Sequence, residues 1–385
     1  MTTTEKDTQD TQDTYAADVR APGILPRNVM SKLPTYTAGK PPASIDGLQS
    51  YKLSSNENPF PPLPAVLEAI SNRQDINRYP DPLSTALRTE LASFLDIPAE
   101  DIVTGGGSLG ALNQLLSTFA GQDELGLPDE VIYPWRSFEA YPISVGLSGA
   151  DSVQVPLRAD GTHDLDAMAA AITSRTRVIL LCTPNNPTGP ALTAAQVEDF
   201  LAKVPSDVIV VIDEAYEDFV RDPEAVNGID MYRKYSNVVV LRTFSKGAGL
   251  AGLRVGYSVS QPHLTQYLRV AAVPFAVSQL AETAAVVSLR HHGELVERIQ
   301  GLVAERTRVV EGLKALGWRI PEAQGNFVWL ELGENTPEFA ALAEQQALAV
   351  RAFGTEGVRV TIGEDEANTR FLALCATYTK GPRLS

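Results

Sequence analysis

The stretch that decides the fold is RVILLCTPNNPTGPALTAAQVEDFLAKVPSDVIVVIDEAYEDF, residues 177–219. Two unbroken apolar, β-branched runs, RVILLCT and VIVVID, flank a helical segment, where Thr193 and Gln196 stand at the spacing of a capping box. A third such run, NVVVLR, follows at 237–242. Both faces of these strands must be covered, which is typical of a parallel sheet between helices. The alternation therefore predicts an α/β layered domain.

Towards the C-terminus the pattern changes. A long amphipathic helix is predicted over 294–316, with Gly317 at its end, and strand-like segments then alternate with a helix near 337–347. We therefore predict a large α/β domain, with a mostly parallel central sheet between helices, plus a smaller α+β C-terminal domain. The predicted division is a disordered tail (1–20), an N-terminal arm (21–55), the large domain (56–285) and the small domain (286–380).

Composition excludes several classes of protein. The 385 residues include 44% hydrophobic and 21% charged residues, which argues against general disorder and against a fibrous chain. The net charge of -15 argues against nucleic acid or an anionic membrane as partner. The polar start MTTTEKDTQDTQDTY lacks an apolar signal region, so we predict a cytoplasmic protein without membrane spans. Two cysteines and four histidines predict neither a disulfide framework nor a metal site.

The glycines of TGGGSLGALNQLLSTF, residues 104–119, stand directly before a predicted helix whose first turn contains Ser108. A helix N-terminus offers free N–H groups, and glycines allow an anion to approach the backbone. The segment lacks the Gly-Lys-Ser/Thr of a P-loop and the spacing of a dinucleotide-binding fingerprint. It predicts a phosphate cup, although an ordinary tight turn explains this segment alone equally well.

Polar side chains follow two of the predicted strands. Asn186 would project from the loop CTPNNPTGP, and Asp213 ends a buried strand, where ligands bind in open α/β sheets. A carboxylate there needs a positive partner or several donors, and a protonated ring nitrogen would serve. Tyr216 lies three residues further on and could face the same site.

The segment RTFSKGAGLAGLRVGY, residues 242–257, completes the pattern. Lys246 lies among small residues that would admit a flat cofactor, and Arg254 follows eight residues later. A lysine beside a cofactor aldehyde can form a Schiff base, and a nearby arginine can bind the cofactor's phosphate. A single lysine on a glycine-rich loop is usually only solvated. Its place after Asn186, Asp213 and Tyr216 favours a cofactor site.

From Leu33 to Thr377 the chain resembles the fold-type I pyridoxal-phosphate aminotransferases, specifically their histidinol-phosphate aminotransferase branch. The string TFSKGAGLAG matches that branch's lysine signature, and SNENP (55–59), NRYPD (77–81), NNPTG and VRVTIG match its pattern as well. The resemblance implies the PLP-dependent transferase fold of type I, with pyridoxal 5′-phosphate as the cofactor.

The resemblance also implies roles for the cofactor-binding positions. Lys246 would carry the Schiff base, Asp213 would pair with the pyridine nitrogen, and Asn186 and Tyr216 would hydrogen-bond the phenolic oxygen. Catalysis would rest on Lys246, Asp213 and Tyr216. Phe138 would stack on the ring. The phosphate would be bound by the following residues of the same chain: Gly107, Ser108, Leu109, Ser245 and Arg254. Relatives often carry Asp-Glu where this chain has Leu109-Gly110. That change is harmless if the contacts there are backbone N–H groups.

Substrate binding and assembly are implied in the same way. Arg359 would bind the substrate carboxylate, with Arg351 and Tyr36 lining the substrate end and Asn186 close by. Tyr79 would reach the phosphate from a neighbouring subunit. The resemblance therefore implies a homodimer, with Tyr79 and Tyr36 contributed across its interface.

Two substrate classes fit, because aromatic amino acids and histidinol phosphate both need an anion-binding arginine. Aromatic residues flank the predicted site, namely Trp135, Phe138, Phe327 and Trp329. Strings such as PWRSFEAYP and NFVWLELG resemble actinobacterial aromatic-amino-acid aminotransferases more closely than enterobacterial histidinol-phosphate enzymes. We therefore predict transamination of phenylalanine, tyrosine and tryptophan with 2-oxoglutarate. Histidinol-phosphate aminotransferase is the alternative, followed by threonine-phosphate decarboxylase and C–S lyases. A regulator would need a basic DNA-binding module, whereas the N-terminal tail here is short and acidic.

Overall fold

The structure is a computed structural model that describes residues 25–382, so the predicted tail at 1–20 lies outside the described residues. The α-helices, in chain order, are α1 Pro64–Ser71, α2 Thr85–Leu95, α3 Gly107–Phe119, α4 Ala140–Ser148, α5 Leu165–Ala170, α6 Ala194–Leu201, α7 Gly228–Lys234, α8 Pro262–Ala271, α9 Gln279–Arg290, α10 His292–Ala315, α11 Thr336–Gln345 and α12 Asp365–Thr377. The strands are β1 Tyr51–Lys52, β2 Ile102–Gly105, β3 Glu130–Trp135, β4 Asp151–Pro156, β5 Thr176–Cys182, β6 Ile209–Asp213, β7 Val238–Thr243, β8 Gly256–Ser260, β9 Phe327–Glu331, β10 Leu348–Ala349, β11 Arg351–Phe353 and β12 Gly357–Thr361.

A seven-stranded sheet with the order β2-β8-β7-β6-β5-β3-β4 forms the centre of the large region. β8 runs antiparallel to both of its neighbours, and the remaining pairings are parallel. The three predicted apolar runs are β5, β6 and β7, which lie side by side, so the predicted parallel sheet is confirmed. Their carboxyl ends therefore meet at one edge of the sheet, with Cys182 paired to Asp213 and Asp213 paired to Leu241.

Both faces of this sheet are covered, as the alternating residues of strand β5 show. Ile179 and Leu181 belong to one apolar cluster, and their neighbours Val178 and Leu180 belong to the other. This arrangement explains why the central strands have no polar face. The capping box predicted at Thr193 is present at the start of α6 and fixes where that crossover helix begins.

A smaller α+β region follows, as predicted. Strands β11, β12 and β9 form an antiparallel sheet, and a separate core surrounds Trp318, Phe339 and Phe371. The long predicted helix is α10, and Gly317 follows its end with a φ of 81°. Strand β1 of the N-terminal arm pairs with β10, which attaches the arm to this smaller region. The boundaries at 55/56 and 285/286 stay predictions.

Within residues 25–382, none of the helices has the length and apolarity that crossing a membrane requires. The same residues contain no cluster of three or more histidine, cysteine or acidic side chains that could hold a metal ion.

Candidate active site

A cavity of about 310 Å³ opens at the carboxyl edge of β5, β6 and β7. Loops after these strands, the start of α3 and the N-terminal arm contribute its walls. It is lined by Tyr36, Ser55, Glu57, Ser108, Leu109, Phe138, Cys182, Asn186, Asp213, Ala215, Tyr216, Thr243, Ser245, Lys246, Ala251 and Arg254. All the predicted cofactor residues except Gly107 and Tyr79 line this cavity, and they come from five separate segments of the chain.

Asp213 is buried in this cavity, at the end of β6. The Tyr141 hydroxyl donates a 2.7 Å hydrogen bond to Oδ2, whereas Oδ1 is buried without a hydrogen-bond partner among the residues that the structure describes. Burial raises the pKa of Asp213 to about 6, against the hydrogen bonds that favour its charged form. A protonated ring nitrogen placed at Oδ1 would both satisfy that oxygen and keep the carboxylate ionised.

Lys246 follows β7 on a tight loop. Its Nζ donates a 3.1 Å hydrogen bond to the Ser55 carbonyl oxygen and lies 5.6 Å from the centroid of the Tyr216 ring. Burial, together with the positive charge of Arg359, lowers the pKa of Lys246 to about 7. A large fraction of this amine is therefore neutral near pH 7, and a neutral amine can act as a nucleophile and as a base.

The predicted phosphate cup is formed by the start of α3 and the segment around Arg254. Gly107 has a φ of 76°, and a Cβ there would lie 2.4 Å from Nη2 of Arg254. A Cβ at Gly256 would lie 2.4 Å from the Ser108 backbone nitrogen. The Arg254 Nη1 donates to the Ser245 hydroxyl at 3.2 Å. Glycine is thus required at both positions, where backbone N–H groups, a hydroxyl and a guanidinium converge on one anion-sized place.

Arg359 of β12 contacts the cavity wall at Asn186, without itself being among the lining residues. Its Nη1 donates to Oδ1 of Asn186, and its Nη2 donates to the Ser54 carbonyl oxygen at 2.7 Å. Its Nε is buried without a partner among residues 25–382. Arg359 therefore keeps its positive charge and one donor available for an anion beside Asn186.

Tyr216 stands between Lys246 and the smaller region. Burial raises the pKa of Tyr216 to about 12, so its hydroxyl keeps its proton at neutral pH. The hydroxyl accepts a 2.9 Å hydrogen bond from Nδ2 of Asn56, and the ring packs edge-on against Phe327. The tyrosine can thus donate its hydrogen to an oxygen in the cavity.

Three of the four predicted aromatic residues fall into two groups, and the fourth, Trp135, is not among the lining residues of the cavity. Phe138 lines the cavity, where its ring could cover one face of a flat cofactor. Phe327 and Trp329 are buried in β9, with Phe327 against Tyr216 and Trp329 against Phe353. These two residues therefore do not line the cavity and instead pack against the residues next to it.

Tyr36 and Tyr79 are both predicted to cross a subunit interface, and for both residues this stays a prediction. Tyr36 lines the cavity of its own chain, because the arm folds back onto the same molecule. Leu33 packs against Gly146, and the Ala38 carbonyl oxygen accepts a hydrogen bond from Arg351. Tyr79, in contrast, is 83% exposed and stacks on Phe275 outside the cavity.

Sequence reasoning missed two residues that contact the predicted ones. Tyr141 donates to Asp213, and Asn56 donates to Tyr216 and has a left-handed φ of 53°. Both stand inside motifs already singled out, SNENP and PWRSFEAY. The available signal was that each is a polar residue within a matched motif. Its hydrogen-bond partner lies far away in the sequence, so the contact itself could not be predicted.

Three features lie together at one edge of the parallel sheet: a lysine with a lowered pKa, a buried carboxylate with one unpartnered oxygen, and an anion cup. Together they define a pyridoxal-phosphate enzyme. The family model for class I and II aminotransferases matches residues 49–373. The chain belongs to this family, and its cofactor is pyridoxal 5′-phosphate. The unpartnered Oδ1 of Asp213 and the anion cup both fit that cofactor.

Curated relatives match along most of their length. The aromatic amino acid aminotransferase of Streptomyces avermitilis is 54% identical over 355 residues, which cover 92% of this chain and 97% of the relative. The protein of the same name from Thermobifida fusca is 50% identical, with 94% and 99% covered.

Solved structures show the same fold. Histidinol-phosphate aminotransferase from Sinorhizobium meliloti, in complex with pyridoxal-5′-phosphate, superposes with a TM-score of 0.76 at 26% identity, covering 84% of this chain and 89% of that one. Aspartate aminotransferase from Thermus thermophilus superposes with a TM-score of 0.73 at 23% identity, covering 85% and 92%. The predicted fold type is therefore confirmed.

Proposed function

We propose that the protein transfers the amino group of phenylalanine, tyrosine or tryptophan to 2-oxoglutarate, giving the aromatic 2-oxo acid and glutamate. The observation that carries this proposal is the 54% identity, over nearly the full length, to a relative named for aromatic amino acids. The aromatic residues at the site are consistent with such a side chain, since Phe138 lines the cavity and Phe327 backs Tyr216.

The chemistry follows from the positions of the chain's own groups. When bound, pyridoxal phosphate supplies the electron sink that makes the substrate Cα–H bond acidic. Asp213 would keep the ring nitrogen protonated, and Asn186 and Tyr216 would hydrogen-bond the phenolic oxygen. The Lys246 amine would take up the proton of the substrate Cα and carry it as an ammonium group until the proton is returned. Arg359 orients the substrate through its α-carboxylate.

The experiment that tests the substrate is a comparison of kcat/KM for phenylalanine and for histidinol phosphate, with 2-oxoglutarate as the acceptor. We expect phenylalanine to be preferred by at least about tenfold, because a site matched to one anion discriminates against another of different charge and shape. A preference for histidinol phosphate would establish the alternative instead. Release of carbon dioxide from threonine phosphate would identify a decarboxylase.

Replacing Arg359 with lysine should weaken both half-reactions by a similar factor. Amino donor and 2-oxoglutarate share an α-carboxylate, and lysine keeps the charge but loses the planar fork of donors. We expect a loss of roughly 2–4 kcal/mol in each half-reaction. Stopped-flow measurement of the phenylalanine and 2-oxoglutarate half-reactions checks this prediction. A loss confined to one of them would make Arg359 a side-chain specificity residue and place the shared carboxylate site elsewhere.

We also propose a homodimer in which Tyr79 binds the cofactor phosphate of the neighbouring subunit. The support is an exposed apolar surface around Tyr79, where Phe275 is 40%, Val273 64% and Val270 84% exposed. Monomeric proteins rarely expose an apolar surface of this kind, so the surface favours contact with a second subunit. Arg254 lines the cavity of its own chain, but Tyr79 does not. A contact between Tyr79 and a cofactor phosphate would therefore be made in the neighbouring subunit.

For the dimer we expect sedimentation velocity of the cofactor-loaded enzyme to give twice the mass of one chain. Tyr79→Phe should leave the dimer intact and weaken cofactor affinity by about tenfold to a hundredfold, the effect of one lost hydrogen bond to a charged group. Tyr267→Phe, at another exposed tyrosine, is the control and should leave affinity unchanged. Active enzyme that sediments only as monomers would contradict the proposal.

We propose the cytoplasm as the compartment, because the amino acid and 2-oxo acid substrates of such an enzyme are metabolites of that compartment. The net charge of -15 further disfavours nucleic acid and anionic membranes as partners. Fractionation of cells that express the chain, with activity measured in each fraction, would test this placement.

A further inference from the structure

Arg359 has a second arginine as its direct neighbour. In the antiparallel pairing of β11 with β12, Arg351 lies opposite Arg359, so both side chains leave the same face of the sheet. Their guanidinium carbons lie 5.4 and 5.7 Å from the centroid of the Phe353 ring. An anion bound at Arg359 is therefore within reach of the electrostatic field of Arg351.

Arg351 is held and neutralised by Glu139. Its Nη2 and Nε donate to Oε2 of Glu139 at 2.7 and 3.3 Å, and its Nη1 donates to the Ala38 carbonyl oxygen at 3.3 Å. The side chains of the pair are only 11% and 30% exposed, so water screens the charges weakly. Glu139 is adjacent in sequence to Phe138 of the cavity wall, and Ala38, which Arg351 contacts, stands two residues from Tyr36 of the same wall.

Arg359 differs from Arg351 in its partners. Its hydrogen bonds go to an amide and to a backbone carbonyl, and no carboxylate is within salt-bridge distance of it in the described part of the chain. Arg351, Arg359 and Glu139 therefore sum to one positive charge. Burial lowers the pKa of Arg359, the Arg351 charge lowers it further, and the Glu139 carboxylate raises it, so the three groups act on one another.

One positive charge suits a carboxylate, which carries one negative charge. A phosphate monoester carries roughly 1.5 to 2 negative charges at pH 7 and is best met by two free cations. We propose that Glu139 is a specificity-determining positioning residue, which holds Arg351 and so selects α-amino acids over amino-alcohol phosphate esters such as histidinol phosphate. This proposal rests on the proposed function for the identity of the preferred substrate.

A second ion pair near the same ring supplies a matched control. Arg136 makes a bidentate pair with Glu356, and its guanidinium carbon lies 5.5 Å from the Phe353 ring centroid. Removing the charge of Glu356 changes the local net charge as much as removing that of Glu139. It releases an arginine that does not stand opposite Arg359, however, so the two variants separate a specific effect from a general electrostatic one.

The test is the ratio of kcat/KM for histidinol phosphate to kcat/KM for phenylalanine, measured with the cofactor-loaded enzyme. In Glu139→Gln we expect this ratio to rise at least about tenfold, because Arg351 becomes a free cation beside Arg359. Inorganic phosphate should also inhibit phenylalanine turnover at concentrations about tenfold lower than in the wild type. Glu356→Gln should change both quantities less than about twofold.

Two further variants keep the proposal testable if Glu139→Gln is unstable, which thermal unfolding of the loaded enzyme would reveal. Arg351→Gln should lower the ratio, the opposite sign, since Glu139 then opposes an anion at Arg359. The double variant Glu139→Gln/Arg351→Gln should lose the gain of the single one. A ratio that stays within about twofold of the wild type in both single variants would overturn the proposal. If wild-type enzyme prefers histidinol phosphate, the proposed function fails, and the direction of these shifts still tests Glu139 separately.

Discussion

Lys246→Ala should lose at least about 10⁴-fold in kcat with phenylalanine while still retaining the cofactor. The loss follows because no other amine lines the cavity among the described residues, so no group remains to move the substrate Cα proton. Retention follows because the anion cup of Ser108, Ser245 and Arg254 is untouched. Turnover is measured by phenylpyruvate release, and retention by the absorbance of bound cofactor after gel filtration.

A matched control for this variant is Lys203→Ala. Lys203 pairs with Asp166 on the surface, where an exposed ion pair contributes little, so activity should not change. Near wild-type turnover in Lys246→Ala would show that the reactive lysine has been assigned wrongly. Loss of the bound cofactor would instead call for single-turnover measurements at saturating added cofactor, in which the chemical defect must persist.

Asp213→Asn should be a defect in chemistry more than in binding. An amide is nearly the same shape as the carboxylate and can still accept the hydrogen bond from Tyr141, but it cannot balance a positive ring nitrogen. We expect kcat to fall at least ~10³-fold, which corresponds to roughly 4 kcal/mol in the activation free energy. The KM for phenylalanine should change much less, since the substrate carboxylate would be bound by Arg359 and not by Asp213.

The control here is Asp166→Asn, which removes one exposed carboxylate of the same type far from the cavity lining. Steady-state kinetics at saturating cofactor separate the two parameters. An unchanged kcat in Asp213→Asn would place the catalytic carboxylate elsewhere. A raised KM with normal kcat would make Asp213 a residue for ground-state binding only.

Much of the fold could be predicted because its signals are local. The runs that became β5, β6 and β7 are apolar on both faces, and a capping box at Thr193 marks the start of α6. Strand ends then predict which residues meet, since parallel strands share one carboxyl edge. Asn186, Asp213 and Lys246 follow three adjacent strands, and their convergence is a consequence of that topology.

The remaining contacts join residues that are far apart in the sequence. Tyr141 reaches Asp213 across 72 positions, Asn56 reaches Tyr216 across 160, and Glu139 reaches Arg351 across 212. Neither hydrophobic periodicity nor spacing records such pairings, because they depend on how the arm and the smaller region pack on the sheet. That Tyr36 crosses a subunit interface stays a prediction, because the sequence does not specify onto which chain the arm folds.

The proposed reaction moves an amino group from an aromatic amino acid through the lysine and the carboxylate that β7 and β6 present. The most direct measurement mixes cofactor-loaded enzyme with phenylalanine alone and counts the products. We predict one phenylpyruvate per chain, no ammonia and no carbon dioxide, followed by one glutamate per chain once 2-oxoglutarate is added. Continuous product formation without an acceptor, or release of ammonia or carbon dioxide, would contradict the account.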